Sequence, residues 1–259
     1  VTPLLSEAGA LAGALLAGLR LLPTALLSPF LGGPLVPPPV RIGLALALGW
    51  AGTQVAGASP PPSVQGLELA AAGARELALG SALAFAGMLP VEAARASGRL
   101  VDTLRGATLS ELHVAPIRQR ESASGDLLAQ WCVVLAAWSG GDRLFLRGLL
   151  GTFARIAPGG AVDARVLGEG GLRLAAELLA CALAVAAPAA AGILAADLAI
   201  AIVERLAPGL GTVTAAQPAR AALGVAAIAL AASAIGGRLV ALVALAGNAP
   251  AFLAPGGSP

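Results

Sequence analysis

The chain has 259 residues, of which 58% are hydrophobic and only 12% charged, with a formal net charge of +2. Soluble domains carry about a quarter charged residues, so this composition belongs in a membrane or inside a larger assembly. The balance of charge excludes a dedicated nucleic-acid binder, which needs a strong basic excess against phosphate.

The mean hydropathy of +0.86 is inflated by alanine, whose burial contributes little per residue. Lysine and tyrosine are absent, and Ala, Gly, Leu, Arg and Pro dominate, a pattern of GC-rich codon usage that points to a bacterium. The first apolar segment spans residues 8–31. It contains Arg20 and Pro23. A signal peptide carries its cation before the apolar run, so a retained helix is expected, with Arg20 either a partnered core cation or a snorkelling end residue. Pro29, Pro34 and the prolines at 37–39 end it in an extended connection. Arg41 opens the second segment, 40–58, which contains Trp50 and stops at the prolines of 60–62. The third, 67–88, is interrupted by Arg75 and Glu76, a poor pattern for a lipid-facing span. Gly80 and Gly87 offer small surfaces for close helix contact. Pro90 is expected to kink or break it.

A charged helix follows, to about Arg105. Glu92, Arg95, Arg99 and Asp102 recur at spacings of three and four, which places them on one face as a ladder of pairs. Arg105 and Gly106 suit a helix C-terminus. The chain then turns polar over 106–125, with Ala107, Leu112, His113, Val114, Pro116, Arg118 and Arg120. A solvated surface loop is the plainer expectation for such a stretch.

Beyond it, 126–138 is a short apolar helix, Ser139, Gly140 and Gly141 make a turn, and Asp142 is placed to cap a second short helix ending at Ile156. Neither reaches the roughly 20 residues of a comfortable span, so a packed helical hairpin over 126–157 is expected. The pattern over 164–206 is helical, broken at Pro188 and ended by Pro208. Arg173 and Glu177 form an i, i+4 pair. A last pattern runs from about Pro218 to Leu245, before a tail that frays. Alternation of period two is absent, so the expected fold is all-α: one polytopic, hairpin-rich helical domain of six to eight helices, divided into 8–105, the loop 106–125, the hairpin 126–157 and 164–247.

Few residues offer chemistry. A glycine-rich phosphate loop ending in Lys is missing, which removes Walker-type and Schiff-base mechanisms. Cys132 and Cys181 lack a second Cys or His at ligand spacing, and free thiols or a disulfide are both open. His113, the only histidine, has no serine in a nucleophile-elbow context to serve. No cofactor is implied. Asp197 is the best candidate for an ion or proton site, because an acid at membrane depth needs a purpose or a partner. The plainer alternative pairs it with Arg205, two turns away. A small carrier coupled through Asp197 is therefore the competing function. The charges within apolar segments also call for partners beyond the chain itself.

The order of these features resembles the T subunit of the type III secretion export apparatus (SctT) and its flagellar counterpart FliR, over roughly residues 11–245. The strongest part is Gly98, Asp102, Arg105, Gly106 and Ala107, then Pro116. It is supported by Arg20 with Pro29, Arg41 after Pro39, Glu76 with Gly80, Pro188, and Asp197 with Arg205 and Pro208. The resemblance implies a structural component and not an enzyme. It implies assembly in the bacterial inner membrane with R and S subunits, beside U and V subunits, around unfolded polypeptides in transit. The assembly would be partly raised above the membrane plane. The resemblance also implies that the loop 106–125 acts as a channel plug, which composition alone does not distinguish from a surface loop.

Overall fold

The computed structural model describes residues 2–31, 36–57, 66–106, 122–161, 163–206 and 222–253. Among these, all regular structure is helical: α1 (Thr2–Leu27), a 3₁₀ turn (Pro29–Leu31), α2 (Pro38–Ala56), α3 (Leu67–Leu104), α4 (Ala123–Ser139), α5 (Gly141–Arg155), α6 (Ala164–Leu206), α7 (222–230) and α8 (Ala232–Leu253). Four of these are long and apolar enough to cross a membrane, over Gly9–Leu27, Leu67–Leu104, Ala164–Leu206 and Ala232–Pro250. α4 and α5, at 17 and 15 residues, fall short of a span, as their sequences imply.

Neither Pro90 nor Pro188 ends a helix. α3 runs through Pro90 and α6 through Pro188 without interruption. A proline inside a helix removes one backbone bond and crowds the preceding turn. Packing of the surrounding apolar surface outweighs that penalty in membrane-type helices. The apolar segment 67–88 and the charged stretch after it are therefore one continuous helix of 38 residues. At 1.5 Å per residue 38 residues carry about 57 Å of helical rise, more than the roughly 30 Å hydrocarbon core takes up. Asp142 also differs from its expected role. The residue before α5 is Gly140, at φ +73°, and Asp142 lies in the first turn. A left-handed backbone suits glycine and leaves the aspartate to favour the helix N-terminus by charge alone.

The chain divides into two compact units. The first comprises Val1–Leu89, Ala136–Ala176 and Val243–Pro259. Its core includes Leu16, Leu21, Leu79, Leu83, Phe145 and Phe153, all buried. The second comprises Pro90–Leu135 and Glu177–Leu242. There Val101 of α3 packs with Ala186, Ala189 and Ile193 of α6, and Leu104, Ala227 and Ile228 close around them. Ser97 of α3 donates to the carbonyl of Ala182 on α6 at 2.8 Å, so the two helices are bonded as well as packed.

Cys132 and Cys181 are free thiols. Cys132 is fully buried in α4, and burial pushes its pKa up to about 12, because the thiolate is the charged form. Cys181 is half-buried. A maleimide at pH 7, applied to the detergent-solubilised chain, should modify Cys181 and spare Cys132 until the protein unfolds. Equal native-state labelling of both would contradict this packing of α4.

Candidate functional site

The sequence-predicted residues gather into two buried polar clusters, one in each unit. In the first, Arg20 sits near the C-terminal end of α1, wholly buried. Its Nε bonds Glu76 Oε2 of α3 at 2.6 Å, and its Nη2 bonds Oε1 at 3.0 Å. This two-pronged pairing is the strong form of an arginine–carboxylate contact. Nη1 donates to the carbonyl of Ile156 at 2.9 Å, and Glu76 Oε1 accepts the Gly159 amide at 2.7 Å. The guanidinium also stacks over the Phe153 ring, 4.5 Å from its centroid. One ion pair thus ties α1, α3 and the chain leaving α5. Gly80 makes the approach possible: a Cβ there would stand 2.2 Å from the Arg20 carbonyl oxygen. Arg20 is accordingly a partnered core cation, and the chain supplies its partner, contrary to the expectation that such charges need other subunits.

Arg41 does comparable work on backbone. Its guanidinium donates to the carbonyls of Leu26 at 3.0 Å and Val36 at 2.6 Å. It thereby satisfies a carbonyl that the last turn of α1 leaves open and holds the connection that begins at Pro29.

The second cluster lies where the polar loop leaves α3 and returns into α4. α3 ends at Leu104, and Gly106, at φ +74°, takes the left-handed position that closes a helix. About one turn before Gly106, Asp102 is buried. Its Oδ1 pairs with Arg105 Nη2 at 2.7 Å, while its Oδ2 accepts the Ser122 hydroxyl and the Ser124 amide, the latter at 3.1 Å. Ser122 itself caps α4, its Oγ accepting the Gly125 amide at 3.0 Å. Ser122 and Asp102 together satisfy amides that the first turn of α4 would leave bare, and the carboxylate meets the positive end of that helix. Gly98 completes the junction. A Cβ on it would lie 2.4 Å from the Gly125 backbone, so only glycine lets α4 start against α3 here. The stem of Arg105 packs on Gly224 of α7.

The expected ladder of pairs is therefore only partly present. Glu92 pairs with Arg95, which also lies 3.7 Å from Asp126 of α4. Arg99 is exposed, and Asp102 turns away from it to Arg105 and α4. The helix over 126–138 begins at Ala123, three residues earlier than expected, because Ser122 caps it. Ser122, Ser124 and Gly125 are the site residues that sequence reasoning left in the loop. A serine just before an apolar run was the signal that could have found them.

The other predicted residues are placed plainly. Pro188 lies within α6, Asp197 is half-exposed further along it, and Arg205 is exposed near its end. Ala107, Leu112, His113, Val114, Pro116, Arg118, Arg120 and Pro208 lie outside the described residues. What the two clusters offer chemically is fixation: each is a charge held by several partners from separate helices.

Comparison with protein families gives a match over residues 11–245 to the family described as bacterial export proteins, family 1. Comparison with curated proteins gives no match.

Proposed function

The chain belongs to the bacterial export proteins, family 1, the FliR and SctT family of type III export, and from that premise we propose that it is a structural subunit of the export gate. It is an export-apparatus protein of the bacterial inner membrane. The finer reading is that it joins R and S subunits to form the entrance to the secretion channel, beside U and V subunits. Unfolded polypeptides would pass through that entrance. The loop beginning at Gly106 would serve as its plug.

The observation that supports this best is the junction at Asp102. One buried carboxylate holds the chain on both sides of residues 107–121, through Arg105 before them and Ser122 and Ser124 after them. Fixed ends suit a plug, which must return to one position.

Removal of 109–119 tests this while leaving Gly106, Ser122 and the junction intact. The expected result is an assembly with R and S subunits that forms normally but makes the inner membrane permeable to small ions. An assembled complex that stays sealed would remove the plug role from this loop and leave the family membership untouched.

A further inference from the structure

We propose that the exposed face of α5 binds the headgroups of anionic phospholipids and lies in the membrane's interfacial layer. α5 is a two-sided helix. Phe145, Leu149 and Phe153 are buried along one side. Arg143 and Arg147 stand on the other, exposed, and at 3.6 residues per turn they point within about 40° of one another. Arg155 is exposed further along the same helix.

Two like charges four residues apart weaken a helix unless something between them and solvent is negative. Neither arginine has an acid three or four residues away: apart from the two arginines themselves, those positions hold Ser139, Gly140, Leu144, Leu146, Leu150 and Gly151. The contrast is Arg165, equally exposed, which is paired with Glu169 at 2.8 Å. Asp142, half-buried in the first turn, is the one acid on α5, and it lies about 100° round the helix from Arg143.

The neighbourhood favours lipid over an acidic protein. Trp138, just before the turn into α5, is 84% exposed, and Leu144 beside the arginines is also exposed. An exposed tryptophan at the end of α4 and two exposed arginines on α5 suit a membrane interface, where the ring sits at headgroup level and the cations meet phosphate. At 15 residues α5 is too short to cross, yet the chain carries four helices that can, so a bilayer is at hand. The inference is independent of the plug: it concerns other residues and another readout.

The test uses the full chain in lipid nanodiscs, with Trp50→Phe and Trp131→Phe leaving Trp138 as the only indole. Lipids brominated near the headgroup quench a tryptophan they touch. Phosphatidylglycerol should quench Trp138 more strongly than phosphatidylcholine at equal mole fraction. Arg143→Gln with Arg147→Gln should lower the apparent affinity for phosphatidylglycerol about 30-fold, from roughly fivefold per charge at an anionic surface. Arg143→Lys with Arg147→Lys should retain it. Both pairs are exposed substitutions, and an unchanged helical circular dichroism spectrum confirms the fold. Equal quenching by the two lipids, or a glutamine pair that keeps the preference, overturns the proposal. So does quenching by neither lipid, which would mean that this face stands clear of the bilayer.

Discussion

Glu76→Ala should destabilise the first unit by about 3–5 kcal/mol, the range for removing one partner of a buried ion pair. Glu76 and Arg20 are both wholly buried, so Arg20 would keep its charge with no route to water. The carbonyls of Ile156 and Ala157 that it also meets can solvate the guanidinium but cannot neutralise it, and the Gly159 amide would lose its acceptor. A loss of this size is a large part of a typical domain's 5–15 kcal/mol. Thermal unfolding of the purified chain in mild detergent measures it. Arg20→Met combined with Glu76→Leu is the informative companion, because replacing both charges by apolar groups of similar volume leaves no orphan. The double variant should be clearly more stable than Glu76→Ala alone. A single-variant loss below about 1 kcal/mol, the size seen for exposed pairs, would show that water reaches the pair.

That pair also marks the limit of what the sequence carries. Helix content, the two short helices α4 and α5 and the closure of α3 at Gly106 were all legible, because each is set by local pattern, length or backbone freedom. The partner of Arg20 was not, because Arg20 and Glu76 are 56 residues apart and periodicity reports only neighbours on one helix. For the same reason Asp102 looked like one rung of a ladder with Arg99, when its carboxylate faces α4. Neither Pro90 nor Pro188 ends its helix, because burial of neighbouring apolar side chains outweighs the one lost backbone bond. Asp142 was assigned a capping role by residue type, and the left-handed backbone at Gly140 took it instead. In each case a contact distant in sequence, or a backbone angle, outweighed a local preference.

Asp102→Ala should reduce assembly and secretion together. The carboxylate makes three contacts: Arg105, the Ser122 hydroxyl and the Ser124 amide. Alanine removes all three and leaves Arg105 poorly solvated against Gly224. The Arg105 side chain retains 12% exposure, so the destabilisation should fall at the lower end of about 3–5 kcal/mol. Asp102→Asn separates the two parts of this role. Its amide oxygen can still accept the Ser124 N–H, while the charge that favours Arg105 and the start of α4 is gone. If the chain assembles with R and S subunits as proposed, recovery of that complex should rank wild type, then asparagine, then alanine, with secretion following the same order. If Asp102 only positions the chain, secretion per assembled complex stays constant across the three. An asparagine variant that assembles fully but secretes poorly would assign Asp102 a direct part in opening the gate, because the junction would then be intact and only its charge missing.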